Sequence, residues 1–207
     1  MDYKKIVTGQ LEVNTYIISH INGDCLVFDP SDSCGDVVKY LKKEKLRPIS
    51  ILLTHGHFDH IMGIPDILAE YKEVNIRIHD DDRDMLSDSN RNGSVLMGAD
   101  FAVDSGIEPL TEGAARIGEF EFTVLHVPGH TRGGCAFVFD NVCFCGDTVF
   151  AGSVGRTDLP GGDSRQLLAS IREKILTLPP RTILCPGHGG RTTVERESLI
   201  NPFLRGL

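Results

Sequence analysis

No stretch of this chain stays apolar for the ~20 residues that a bilayer-spanning helix requires, which excludes a helical membrane protein. Behind Met1-Asp2-Tyr3-Lys4-Lys5 there is neither an apolar core nor a small-residue cleavage pattern, so no secretory signal is expected and the cytoplasm is the expected location. Basic charge is scarce. Against 29 Asp and Glu stand 21 Lys and Arg, a net charge of −8. Nucleic-acid binders neutralise phosphates with a basic face, so nucleic acid is not an expected partner. An anionic small molecule stays open, because bound cations and a few arginines set the field locally. A disulfide setting is missing too. Among the 6 cysteines, Cys25, Cys143 and Cys145 sit in apolar, strand-like runs and Cys185 precedes Pro186-Gly187-His188, which points to free buried thiols. Cys143, Cys145 and Asp147 alternate along one run and could share a face, which leaves a ligand or redox role open for Cys145. With 207 residues, 41% hydrophobic and 24% charged, the chain can bury one good core and form one or two domains.

What the chain does have is metal donors. Thr54-His55-Gly56-His57-Phe58-Asp59-His60 packs four ligand side chains into six residues, and His130, Asp147 and His188 follow singly. Ile51-Leu52-Leu53 reads as a buried strand that delivers the first cluster on a loop. His55 and His57 are two apart, so in extended backbone they share a face and can grip one ion. Asp59 and His60 come as the chain turns into a helix, point elsewhere, and can hold a second ion. That number of nitrogen and carboxylate donors suits a two-metal hydrolase.

Around this cluster the pattern is mixed α and β. Asn14 to Ile18 and Cys25 to Phe28 read as a hairpin turning near Asn22-Gly23. Ser33 or Asp32 is expected to cap a helix from Gly35 to Lys45. Another helix is expected from Gly63, with Pro65 in its first turn and Ile64, Ile67, Leu68 and Tyr71 apolar. Phe120 to Val127, Cys135 to Phe139 and Val142 to Gly146 read as strands. Asp163 or Ser164 caps an amphipathic helix carrying Leu167, Leu168, Ile171, Ile175 and Leu178; a strand at Thr182 to Cys185 and a final helix before Asn201 close the order. Ser87 to Glu112 is the least regular part, a lid, a helical surface insertion or a disordered loop. Asp80-Asp81-Asp82-Arg83-Asp84 reads as a solvated acidic helix start, and His20, His79 and His126 as ordinary histidines.

The T-H-x-H-x-D-H cluster, Pro128-Gly129-His130-Thr131, Gly146-Asp147-Thr148 and Pro186-Gly187-His188 resemble the signature of the metallo-β-lactamase superfamily. The run Phe150-Ala151-Gly152-Ser153-Val154-Gly155-Arg156-Thr157-Asp158-Leu159-Pro160-Gly161-Gly162 and the closing Asn201-Pro202-Phe203 look like its short, single-domain glyoxalase II-like bacterial branch. The resemblance implies an α/β fold of the αββα sandwich type, two mixed sheets flanked by helices. It implies one domain over residues 1–207, without the helical C-terminal domain that supplies much of the glutathione site in full-length relatives. It also implies a division of the donors: His55, His57 and His130 on one divalent ion, Asp59, His60 and His188 on the other, and Asp147 bridging. Zinc is the first expectation for both ions, and iron or manganese suits the same donors. Asp29, in Phe28-Asp29-Pro30, matches a position whose carboxylate supports a ligand histidine. Thr54 and Thr131 either orient ligands or are satisfied loop hydroxyls.

The implied activity is hydrolysis of a small-molecule thioester such as S-lactoylglutathione by a hydroxide held between the ions. A thiolate leaves without a general acid, and the sequence offers none dedicated to that task. Arg132 stands where the branch has proline and adds a cation near the site; Arg156 is the stronger candidate for a substrate carboxylate, against a plain ion pair with Asp158. The competing readings are a mononuclear-iron glutathione persulfide dioxygenase, another metallo-hydrolase (lactonase, β-lactamase or phosphodiesterase), and a non-catalytic metal or electron-transfer protein. The oligomeric state is not legible.

Overall fold

The computed structural model describes residues 2–32, 34–104 and 106–205. Alternating burial decides its layering. In the strand Asp24–Phe28 all five residues are buried, yet Cys25 and Val27 face one core cluster while Leu26 and Phe28 face another. A strand apolar on both faces must be covered on both.

The first sheet runs in sequence order: β1 (Tyr3–Thr8), β2 (Val13–Ser19), β3 (Asp24–Phe28), β4 (Arg47–Leu52), β5 (Asn75–His79) and β6 (Ile107–Leu110). β1 to β3 pair antiparallel and β3 to β6 parallel. The second half supplies β7 (Gly113–Ile117), β8 (Phe120–His126), β9 (Cys135–Phe139), β10 (Val142–Gly146), a small ribbon of β11 (Val149–Phe150) and β12 (Ser153–Val154), then β13 (Ile183–Pro186) and β14 (Thr192–Thr193). Its sheet has the order β14-β13-β10-β9-β8-β7, with only β10 and β13 parallel.

Between the sheets lies an aromatic core. Phe28 stacks on Phe144 at 4.6 Å and Phe122 on Phe139 at 4.7 Å. Outside the first sheet, α1 (Gly35–Lys43), α2 (Phe58–Ile61) and α3 (Ile64–Glu70) bury Val37, Leu41, Ile61, Ile64 and Ile67. A surface segment with α4 (Arg83–Ser87) and α5 (Ser89–Asn92) follows β5. Outside the second sheet, α6 (Ser164–Ser170) packs Leu167, and α7 (Val194–Ile200) closes the described chain. The result is the expected αββα sandwich of two mixed sheets flanked by helices.

Several local expectations change. The α1 N-cap is Cys34, without a side-chain cap bond; Ser33 lies outside the described residues. The amphipathic helix begins as expected, with Asp163 Oδ1 accepting from the Arg165 and Gln166 amides. It then widens to a π-helix over Ile171–Ile175. The wider turn keeps residues four apart on one side, so Leu167, Ile171 and Ile175 share one core cluster. Residues 87–112 resolve into a helical surface insertion, α5 and a 3-10 turn at Ser94–Met97, followed by the edge strand β6. All six cysteines are free and buried. Cys143 and Cys145 do share a face, the outer one against α6. Asp147 is not on it, because Gly146 at φ 49° turns the chain away at the strand end.

Candidate metal centre

The donors sit where strands end. β4 leads into His55 and His57, β10 into Asp147 and β13 into His188. β8 runs in the direction of β10, since both are antiparallel to β9, and leads into His130. Both sheets thus discharge their ligand loops at one edge of the sandwich, the usual place for a site in parallel-strand folds. The short α2 carries Asp59 and His60 inward from the same edge.

His55 Nε2 lies 3.2 Å from His130 Nε2, and His57 Nδ1 lies 2.9 Å from the same atom. Ligand nitrogens on a tetrahedral zinc stand ~3.3 Å apart, by the ~2.05 Å Zn–N distance. Asp59 Oδ2 is 3.4 Å from His188 Nε2 and 3.8 Å from His60 Nε2. Asp147 faces both groups: Oδ2 is 3.7 Å from His130 Nε2 and 3.5 Å from His188 Nε2, while Oδ1 is 3.5 Å from His60 Nε2.

Hydrogen bonds behind the rings fix which nitrogen is available. His130 Nδ1 donates to the Arg156 carbonyl at 2.7 Å, and His188 Nδ1 to the Leu11 carbonyl at 2.9 Å. A carbonyl only accepts, so each Nε2 keeps its lone pair for the centre. Thr54 Oγ1 donates to Asp29 Oδ2 at 2.7 Å and therefore accepts from His55 Nδ1 at 3.0 Å, which does the same for His55. The other Asp29 oxygen receives the Thr54 amide at 2.8 Å, and Oδ2 stands 3.0 Å from His60 Nδ1. Asp29 thus braces His60 and the loop at once, and Thr54 is an orienting group.

Electrostatically the centre has two halves. Burial, reinforced by the neighbouring imidazoles, holds His55 well below the ordinary histidine range and His57 down at about 3. Burial also opposes charge on His60, but Asp59, Asp147 and Asp29 outweigh it and lift His60 to about 10. His188 is raised against its burial by Asp59 and Asp147. Burial pushes Asp59 up, yet His60 and His188 hold it well below the carboxylate range. His55 and His57 are thus held toward the neutral form, while Asp59, His60 and His188 are held toward their charged forms.

A cation fits this donor set. His60 Nε2 and Asp147 Oδ1 are fully buried and have no hydrogen-bond partner among the described residues. Leaving such atoms unpaired is costly, and a cation between them satisfies both. The room is kept by Gly187, where a Cβ would collide with Asp147 Oδ1 and His60 Cε1. The histidine and aspartate clusters and their burial suit divalent metal binding.

Two groups behind the centre escaped the sequence reading. Asp82 belongs to no solvated helix start: it is 1% exposed. It accepts from Thr131 Oγ1 at 2.6 Å and from the Gly133 and Gly56 amides at 2.7 and 3.3 Å, tying the His130 loop to the His55–His57 loop. Burial raises its pKa, with those three donors opposing. Asp82→Ala leaves three buried donors without an acceptor; we expect a loss of about 3 kcal/mol, read as a lowered denaturation midpoint. The second group is Glu197, 0% exposed. Its carboxylate takes Thr192 Oγ1 at 2.5 Å, Arg196 Nη1 at 2.8 Å, the Gly152 amide at 2.8 Å and Asn201 Nδ2 at 2.8 Å. Asn201 Nδ2 also reaches the Ser153 carbonyl at 3.0 Å, which gives the Asn-Pro-Phe signature a job: it clamps the β11–β12 ribbon beside Asp147. Glu197→Ala is expected to destabilise by about 3–5 kcal/mol, measured by chemical unfolding.

Arg156 borders a cleft with Asp147, Phe150, Val154 and His188. It is held in a bidentate pair with Asp158, both contacts 2.7 Å, at an exposed position. Arg132 lies apart from the donors, beside Asp81, Met85, Arg91 and Pro160. His79 and His126 stack at 4.0 Å with rings 8° from parallel, and His126 Nε2 donates to the Arg132 carbonyl. With Asp81 they form a close donor group, but stacked rings aim their lone pairs side by side rather than at one point.

The chain matches the metallo-beta-lactamase superfamily over residues 8–188. It is 37% identical to the "Probable metallo-hydrolase YqgX" of Bacillus subtilis (strain 168), covering 100% of this chain and 99% of that protein. It is 31% identical to "Hydroxyacylglutathione hydrolase GloC" of Haemophilus influenzae, covering 99% and 98%. Among solved structures, that of BLEG-1 B3 metallo-beta-lactamase superposes with a TM-score of 0.95 at 39% identity, over 99% of this chain and 100% of that one. Sequence match, fold and donor arrangement agree: the chain belongs to the metallo-beta-lactamase superfamily and is a metallo-hydrolase of that superfamily.

Proposed function

We propose that this metallo-hydrolase cleaves a small-molecule thioester of the hydroxyacylglutathione kind. In this reading His55, His57 and His130 hold one divalent ion, Asp59, His60 and His188 hold the other, and Asp147 touches both. Zinc suits the imidazole-rich first group, and iron or manganese accepts the same donors. When bound, the ions supply the charge that makes water nucleophilic near neutral pH and polarises an acyl carbonyl. The chain's own residues orient and exclude. Asp29, Thr54 and the carbonyls of Leu11 and Arg156 hold the histidines in one tautomer.

The observation that carries the thioester is the lack of an acid. Among the described residues, the two clefts bordering the donors present Gln10, Ser31, Asp32, Ser153 and Arg156 as their polar groups, with no Lys, no Tyr and no histidine outside the donor set. An amide releases its amine only with a proton, whereas a thiol of pKa ~8.5 departs as its anion. Arg156 deepens the fit, because an exposed ion pair contributes little and can exchange Asp158 for a substrate carboxylate in the same bidentate geometry. The likeness to the hydroxyacylglutathione hydrolase GloC supports this choice. β-Lactam hydrolysis is the second reading, favoured by the likeness to BLEG-1; its amide nitrogen needs the proton that neither cleft offers.

Metal-loaded protein is to be assayed with S-lactoylglutathione and with a chromogenic cephalosporin, oxygen being followed throughout. We expect thiol release without oxygen uptake and a far slower cephalosporin reaction. Oxygen consumption on glutathione persulfide with no thioester cleavage would replace the hydrolase by a dioxygenase.

A further inference from the structure

A second cleft, which shares no lining residue with that of Arg156, borders the donors at Asp59. Its volume is about 210 Å³, and Leu11, Phe58, Met62, Met97 and Ala99 form its apolar wall. The wall is built into the metal centre at two points. Phe58 immediately precedes Asp59 on α2, and the Leu11 carbonyl is the acceptor that fixes His188. Met97 comes from the 3-10 turn of the surface insertion. Leu11 is 45% and Met97 55% exposed, large apolar side chains left in water at the mouth of a site, where a ligand would cover them. Among the described residues no cationic side chain lines it.

We propose that this cleft is the acyl subsite, and that it takes an uncharged hydrocarbon acyl group against its apolar wall. The thiol arm then lies in the other cleft, along Phe150, Val154 and Arg156. This rests on the thioesterase reading above and narrows it: a hexanoyl or phenylacetyl thioester is favoured over a lactoyl one, and a carboxylated acyl group such as succinyl is disfavoured, because among the described residues no cationic side chain lines the cleft to receive it. The reaction is plain hydrolysis. The water oxygen bonds to the acyl carbon, the carbon–sulfur bond breaks with its electron pair on sulfur, and the products are a carboxylate, a thiol and a proton.

The test is a series of glutathione thioesters (lactoyl, butyryl, hexanoyl, phenylacetyl and succinyl) on the metal-loaded full chain. We expect kcat/KM to rise about fourfold for each methylene from butyryl to hexanoyl, and succinyl to fall at least tenfold below butyryl. Ala99→Phe fills the cleft from an exposed insertion and should lower the hexanoyl-to-lactoyl ratio at least tenfold. A flat series together with an unchanged ratio in Ala99→Phe overturns the subsite. Calorimetry with the non-cleavable ketones S-(2-oxoheptyl)glutathione and S-(2-oxopropyl)glutathione separates the two claims. If no thioester is cleaved, the thioesterase reading falls; at least tenfold tighter binding of the longer ketone then still supports the apolar subsite, and equal binding removes it.

Discussion

Asp147→Ala will lower kcat/KM for a thioester on the order of a thousandfold and will reduce the metal content below two ions per chain. The magnitude is that of losing one electrostatic group aimed at the reacting centre. Among the described residues, Asp147 is the one carboxylate within 4 Å of histidines from both halves: His130 on one side, His60 and His188 on the other. Asp59 reaches only the second half, at 3.4 Å from His188 and 3.8 Å from His60. In the proposed two-ion reading, loss of Asp147 removes the anion that both clusters share. Asp147→Asn separates charge from shape, since the amide keeps the volume and one oxygen. We expect it to retain the first ion, lose most of the second, and recover little activity. Metal content by elemental analysis and steady-state thiol release check both variants; unchanged values in Asp147→Ala would remove the bridging role.

The two halves will also differ in how metal uptake depends on pH. A ligand histidine must shed its proton before it coordinates, so affinity depends on pH only where the metal-free histidine is charged. In the first half His57 sits at about 3 and His55 well below its ordinary value. His57 is neutral from pH 5 upward and His55 is held toward its neutral form, so neither makes affinity vary around neutral pH. In the second half Asp59, Asp147 and Asp29 lift His60 to about 10, and His188 is raised as well. Metal must therefore displace at least one proton at neutral pH, and affinity there should rise about tenfold per pH unit between pH 7 and 9. The sign for stability is the reverse. His60 titrates higher in the folded, metal-free protein than in the unfolded chain, so its stabilisation is fully present below pH ~6.5 and is lost as pH rises through about 10. Metal-free protein should melt lower at pH 9.5 than at pH 6.5, while the metal-loaded protein gains. Competitive chelator titrations at several pH values resolve the two ions; equal pH slopes would contradict this division of charge.

How much of this was legible beforehand depends on how local the signal is. His55, His57, Asp59 and His60 are written within six residues, so the cluster was readable from spacing alone. That His130, Asp147 and His188 meet it needed the resemblance, because only the sheet topology brings three separate strand ends to one edge. β3 and β10 were readable from their apolar runs, while β6 was not: Pro109 argues against a strand, and it is tolerated because β6 is an edge that pairs with β5 alone. Asp82 was misread for a related reason. In sequence it is one of four acids in five residues, and nothing local distinguishes the one that turns inward to meet donors from residues 56, 131 and 133. Glu197 sits likewise among the charged residues of α7, and its burial comes from contacts with residues 152 and 201. Buried carboxylates that serve distant backbone donors have no sequence period, which is why Asp29 was legible only through the resemblance and Asp82 and Glu197 were not legible at all.

The most direct test of the central claim is a stepwise metal titration of metal-stripped protein, with S-lactoylglutathione or hexanoylglutathione cleavage read at each step. The account predicts little activity up to one equivalent, a steep rise between one and two, a plateau at two ions per chain, and thiol released without oxygen uptake. Full activity at a single ion per chain, or a two-ion protein that cleaves no thioester, would contradict it.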